Sequence, residues 1–521
     1  MPVNESPRKS GLEPQIGGDA GLSTSSGFEP SLGGLQRFEM RVWSKLIDPR
    51  WPHKETLVAG LTTEACQLYA RVLIQILPGG ASFSERIEGG AALSGHYSTG
   101  QRAAATFALG LIGGRVGPKL AALLVDPLAQ RLSDDDEDNV RVETARALGM
   151  LGDLRAQDSL IRAMATGNWK LRLAVIQALG QVGDLASINY IAQLYDQSES
   201  LNESRASLEA LGLLGGRIGG AAQARVYDQV MRVFLRSDSL QRGAAARALG
   251  RLGDRRALDL LIQVAMNGKG DLQCAAVEAL GMLGESESVP PLIFVLTTGE
   301  YSARRDAAQA LIRIGAASIG PALAVLRHPD VEVRRSVAEV LGKVGAHRAV
   351  QPLIELLADP AVELREAAVN ALGLIGASDA VEALIGALGD ADAGVRKEAA
   401  MMLGGFRDVR AVGPLCLALW DADMTVRWFA AYSLGLHGDP RAVQPLIRAL
   451  DDRANNVSQT ACDALIKLGD VAVPDLTRNA QMNGGARSPQ LLGVLAQIGT
   501  PLAEKALASF ATDAPSGLGD G

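Results

Sequence analysis

The chain has 521 residues, of which 47% are hydrophobic but only 4% aromatic, and it contains 58 glycines. That composition fits helices packed through small residues and argues against a β-sandwich rich in Val, Tyr and Thr. With 51 basic and 58 acidic residues, a net charge of −7, the chain lacks the basic excess that a general nucleic-acid binder needs to neutralise phosphates.

From the N-terminus, residues 1–35 are rich in Gly, Ser and Pro and poor in large apolar groups. They do not offset the entropy of ordering and are predicted to be disordered, as is the tail 511–521. No apolar stretch follows the basic residues of "MPVNESPRKSGLEPQIGG", and no uncharged apolar run reaches the ~18 residues of a membrane span. The expectation is a soluble cytoplasmic protein with no membrane contact. Residues 36–100 include "LVAGLTTEACQLYARVLIQIL" (57–77) and read as a degenerate helix pair that caps the N-terminal end of a helical stack. Cys66, Cys274, Cys416 and Cys462 form no CxxC pair and read as free thiols.

Beyond residue 100 the chain repeats. "VRRSVAEVLGKVG", "LREAAVNALGLIG", "VRKEAAMMLGGFR" and "VRWFAAYSLGLHG" place Leu341, Leu372, Leu403 and Leu434 at a spacing of 31. The same slot recurs at Leu109, Leu148, Leu179, Leu211, Leu249, Leu280, Leu311, Leu465 and Leu495, giving about thirteen copies. Each copy reads as two helices. In "HPDVEVRRSVAEVLGKVG", Asp330 is the N-cap, Val333, Val337, Ala338, Leu341 and Val344 share one face, and Gly345 stops the helix. In "GDPRAVQPLIRAL", Asp439 caps the first helix, and Pro445 predicts a kink. The inner glycines Gly342, Gly373, Gly404 and Gly435 cost ~1 kcal/mol against Ala, so they are predicted to admit a neighbouring helix. Such pairs bury their apolar faces only by stacking, which gives an all-α, right-handed α-solenoid across 101–510.

Two intervals are longer: Leu109 to Leu148 is 39 and Leu211 to Leu249 is 38. "ALGLIGGRVG" (108–117) matches "ALGLLGGRIG" (210–219) at an offset of 102, so a block appears twice, with a first helix about two turns longer in each copy. The glycines there have neither GxGxxG nor GxxxxGK[ST] spacing and read as a helix end and turn, leaving Arg115 and Arg217 as a duplicated anion contact. "SDDDEDN" (133–139) reads as a solvated inter-helix turn. His53, His96, His328, His347 and His437 show no metal-ligand spacing, and no metal, cofactor or catalytic residue is assigned.

These residues, with "VRxxAxxALGxLGDxRAVxPLIxAL" recurring across about 100–510, make the chain resemble a HEAT-repeat protein of the phycobilin-lyase type. That resemblance implies a ladder in which Arg334, Arg365, Arg396 and Arg427 bond turn aspartates. The chain differs from deoxyhypusine hydroxylase, a similar fold with His-Glu iron ligands, because no histidine here precedes a glutamate. HEAT-like alkylpurine DNA glycosylases need a basic concave face, which an acidic chain does not suggest.

Counting from the ladder arginine at 100° per residue, positions +1, +2, +5 and +9 of each second helix point away from the core, and in HEAT arrays that face lines the concave side. Arg247, Arg251, Arg305, Arg313 and Arg335 make this face basic in copies five to eight, suited to carboxylates or an acidic helix. Copies ten and eleven place Met401, Met402, Trp428, Phe429, Tyr432 and Leu436 there. An exposed cluster of that kind marks a binding surface, unless curvature or the C-terminal segment covers it, with Trp420 joining the packing. The leading expectation is a non-enzymatic scaffold or adaptor holding a protein partner on the concave face. The alternative, implied by the resemblance, is a bilin lyase or chaperone with a bilin meeting aromatics and arginines, although the chain is much longer than such a subunit.

Overall fold

The computed structural model describes residues 98–236, 239–482 and 488–512, with 45–50, 52, 54–59 and scattered positions from 61 to 73. The tail 1–35 and residues 513–521 of the predicted tail 511–521 therefore lie outside the described residues, as does most of the predicted cap, whereas residues 511 and 512 are helical. Among the described residues every regular element is helical. Two compact units divide between Ala147 and Leu148.

The first unit contains α1 (Lys54–Ala59), α2 (Thr99–Val116), α3 (Pro118–Asp134) and the start of α4 (Asp138–Leu151). Ser98 and Gln101 form a reciprocal capping box at the start of α2. Of the "GLIGGRVG" glycines only the last ends this helix. Gly113 and Gly114 lie inside it, and Gly117, with φ 110°, turns the chain into α3. Arg115 accordingly sits in the last helical turn and donates to the Val58 carbonyl, in place of the anion contact that is the alternative to a helix end and turn. The acidic turn is not simply solvated either, because Asp135 is buried and pairs with Arg131 and Arg102.

In the second unit α4 ends, and helix pairs succeed one another: α5 (Gln157–Thr166) with α6 (Trp169–Val182), then α7 (Leu185–Gln197) with α8 (Leu201–Ile218). Next come α9 (Gly220–Arg236) with α10 (Ser239–Leu252), α11 (Leu258–Asn267) with α12 (Gly270–Leu283), and α13 (Val289–Thr298) with α14 (Tyr301–Ile314). The regular stretch continues with α15 (Ile319–Ala324) and α16 (Val331–Val344), α17 (Val350–Leu356) and α18 (Val362–Ile375), and α19 (Val381–Ala387) and α20 (Ala393–Phe406). It closes with α21 (Val409–Ala418) and α22 (Met424–His437), α23 (Val443–Ala449) and α24 (Asn455–Leu468), α25 (Val473–Met482) and α26 (Ser488–Ile498), and finally α27 (Pro501–Thr512).

All thirteen slot leucines are fully buried. The long first helices are α3 and α9, 17 residues each against ten in α11 and α13, which matches the expected two extra turns. Their partners α2 and α8 are also longer, 18 residues against 14, because the glycine pairs extend those helices. Arg217 likewise lies inside α8 and donates to the Gly183 carbonyl. Asp439 caps a 3-10 turn, Pro440–Ala442, before α23 begins at Val443. Pro445 thus falls in the first α-turn, where its missing N–H leaves nothing unpaired, and no mid-helix kink forms.

Second helices pack against second helices through the inner glycines. A Cβ on Gly342 would stand 2.7 Å from the Ala371 Cα, and one on Gly435 would stand 3.0 Å from the Ala464 Cα. At Gly404 the neighbour is Ser433, and at Gly373 it is Met402. Within this unit the second helices pack more closely against one another than the first helices do.

Candidate functional site

Position zero of the second helices is occupied by a structural ladder. Arg334, Arg365, Arg396 and Arg427 bond Asp359, Asp390, Asp421 and Asp452 at 3.1, 2.8, 2.7 and 2.6 Å. Arg304 bonds Asp330 at 2.8 Å in the preceding copy. Each of the four later arginines also donates to two backbone carbonyls ahead of its own helix, as Arg427 does to Asp421 and Ala422. The guanidinium groups hold the carboxyls of Asp390, Asp421 and Asp452 below the usual carboxylate range. Fixing the helices in this way leaves the face at +1, +2, +5 and +9 free for other uses.

On that face α22 presents its aromatic group to solvent. Trp428 is 38% exposed and Tyr432 is 43% exposed, while Phe429 and Leu436 are half-buried. The Trp428 and Phe429 ring centroids lie 4.6 Å apart. The indole N–H of Trp428 donates to Thr460 Oγ1 on α24 at 2.8 Å, and Lys467 Nζ sits 5.3 Å from the Tyr432 ring centroid. These contacts order the rings without covering them. Half-buried Met401 adjoins the group from α20, at position +5 of that helix. Met402, one residue on, instead fills the space beside Gly373 between α18 and α20 and serves the packing.

The sequence reading missed one member. Leu374, at +9 of α18, is 48% exposed. Gly405, at +9 of α20, has open space where a Cβ would stand, so a notch lies between the Leu374 and Leu436 positions. Applying the same offsets to copy nine would have found Leu374. Trp420, assigned to the packing only if the cluster were covered, is 61% exposed in the turn after α21.

Most of the basic stretch is already paired with carboxylates of the chain itself. Arg247 bonds Asp271 at 2.9 Å and Glu278 at 3.0 Å, Arg251 bonds Glu209 at 3.1 Å, and Arg335 bonds Glu332 at 2.7 Å. Arg305 reaches only its neighbour Asp306, at 3.3 Å, and exposed Arg313 has no hydrogen-bond or ion-pair partner among the described residues. A cavity of about 800 Å3 opens over α8, α10, α12 and α14, and five arginines and four carboxylates take part in lining it. Cys274 lies in it, 3.6 Å from Ser302 Oγ, but burial raises its thiol pKa, which disfavours a thiolate nucleophile. Among the described residues no group of three or more His, Cys, Asp or Glu is arranged to hold a metal ion.

A family model for HEAT repeats matches residues 125–212, 232–313, 296–365, 351–423 and 413–487. Comparison with curated proteins gives no match. Among solved structures the chain is similar to Kap121p bound to Pho4p (15% identity, TM-score 0.44, covering 92% of this chain and 59% of that one) and to Kap121p bound to Ste12p (14%, 0.46, 92% and 59%). It is also similar to Kap95p in a structure with RanGDP (15%, 0.43, 91% and 69%). The chain thus spans 59% of the length of the Kap121p chains.

Proposed function

Because the chain belongs to the HEAT-repeat family, whose model matches most of its length, we propose that it is a non-enzymatic scaffold that holds a protein partner on its second-helix face. On this reading it is a right-handed solenoid of about thirteen two-helix units working in the cytoplasm, without nucleic acid or membrane contact. The observation that carries it is the ordered group of exposed Trp428 and Tyr432 with half-buried Phe429 and Leu436, extended by Met401 and Leu374. Large apolar side chains held open on a rigid face favour association, and aromatic anchors commonly dominate such interfaces. The bilin reading is weaker. Arg335 on α16 and the aromatics on α22 are three second-helix layers apart, roughly 30 Å at ~10 Å per layer, more than one small chromophore bridges.

The test is affinity capture by wild type and by Trp428→Ala/Tyr432→Ala, with subsequent titration of the captured protein. The double variant loses the Thr460 bond and some packing, so its stability falls by about 1–2 kcal/mol. Its affinity falls by ~2 kcal/mol or more, roughly thirtyfold. Leu374→Ser, on a separate helix, weakens the same partner while leaving α22 intact. Equal capture of the same protein by all three overturns the reading.

A further inference from the structure

We propose that the trough along α12 receives an acidic α-helix of a protein partner, anchored by Arg305 and Arg313 of α14. The inference rests on the second-helix face being the binding face, but on a part of it remote from the aromatic group. Along the trough α12 presents Gly270, Asp271, Cys274 and Glu278 as a floor, its two carboxylates both bonded by Arg247 of the α10 wall. Its walls are α10 and α14. Their axes are two layers apart, roughly 20 Å at ~10 Å per layer, and a helix with its side chains is ~10–12 Å across. The opening therefore suits one helix lying over α12.

The two walls differ in what they leave available. On α10 the guanidinium groups of Arg247 and Arg251 are already held by carboxylates, so they shape the trough and hold their own partners. On α14 the exposed side chains Arg305, Gln309 and Arg313 stand at i, i+4 and i+8, a donor column ~12 Å long at 1.5 Å per residue. Glutamates at i, i+4 and i+8 of a helix lying alongside have the same spacing, and arginine binds carboxylate bidentately. Arg313, with no partner among the described residues, and Arg305, held only by its exposed-face neighbour Asp306 at 3.3 Å, give this helix face guanidinium groups that complement an acidic ligand. The carboxylates in the lining disfavour a continuous phosphate backbone, whereas a helix can turn its acidic stripe to α14 alone.

The experiment uses the full chain and a fluorescein-labelled, alanine-rich helical peptide carrying Glu at i, i+4 and i+8. The anisotropy titration shows binding that weakens between about 0.05 and 0.3 M NaCl as charges are screened. The lysine counterpart of the peptide does not bind. Arg305→Ala/Arg313→Ala binds the glutamate peptide at least about tenfold more weakly with an unchanged melting temperature, since both side chains are exposed. Trp428→Ala/Tyr432→Ala binds it as wild type does. No binding of the glutamate peptide to wild type overturns the proposal. So does equal binding by the arginine variant, or binding of a dT oligonucleotide with the same arginine dependence. Loss of peptide binding with partner capture through the aromatic group intact removes this inference alone. Arginine-dependent peptide binding without such capture removes only the aromatic reading.

Discussion

Arg427 and Asp452 are the most enclosed rung of the ladder, with side chains 6% and 10% exposed. Removing one partner leaves a carboxylate out of water with its charge uncompensated, so Arg427→Ala is expected to cost about 3 kcal/mol in chemical denaturation. Arg335→Ala, on the exposed face beside Glu332, is expected to cost under about 1 kcal/mol. Comparable losses in the two would remove the distinction between ladder and face. Acid stability derives from the same bonds. Ladder carboxyls are depressed, and the Arg410 guanidinium holds Asp408 at about 2. A carboxyl with a folded pKa below its unfolded value near ~4 adds stability above that value and loses it as pH falls through the folded pKa. Calorimetry from pH 7 downward is expected to show this contribution intact to about pH 4 and lost between about 4 and 2. A loss complete by pH 5 would assign it to other groups.

Within single helices, glycine does opposite things in second helices two layers apart. Gly342 allows α16 and α18 to touch, because an added Cβ meets the Ala371 backbone at 2.7 Å. Gly342→Ala is expected to destabilise by ~1–3 kcal/mol through overpacking, despite a helix-propensity gain of ~1 kcal/mol. Gly405 lies inside α20 with open space around it, so Gly405→Ala is expected to stabilise by about 0.5–1 kcal/mol. It also fills the notch between Leu374 and Leu436. Paired thermal melts check both signs, and a stabilised Gly342→Ala would mean that the helices separate at little cost.

Across the described residues of the second unit the main helix packing runs within copies and between adjacent copies, and the ladder is continuous from Arg304 to Asp452. Upstream it changes character: Gln273 donates to the Ala265 carbonyl within its own pair, and Arg242 lies 5.2 Å from the Phe234 ring centroid. Stability in such an array is a sum of local and nearest-neighbour contributions. Arg396→Ala is therefore expected to lower hydrogen-exchange protection in α20 and α22 while α6 to α10 keep theirs. Equal loss in both regions would show a single cooperative unit in place of a chain of coupled layers.

The period, the thirteen buried leucines, the inner-glycine contacts and the recurrence of the four arginines were legible in the sequence by itself, while the arginines' role as a ladder came from the family resemblance. Each of these is a local rule repeated at a fixed spacing, and repetition makes a weak rule legible. The sequence also determined which side chains stand at +1, +2, +5 and +9, because helical geometry assigns a face without knowledge of the neighbours. Tertiary structure decided what those side chains have left to offer. Arg247 and Arg251 find carboxylates on adjacent helices, Met402 is taken by the space beside Gly373, and Trp428 is ordered by Thr460, all across gaps of 20 to 45 residues. Arg305 and Arg313 carry the same letter as Arg247 and differ only in what the next layer places opposite them. That depends on how one copy meets the next, which the pattern within a single copy does not encode.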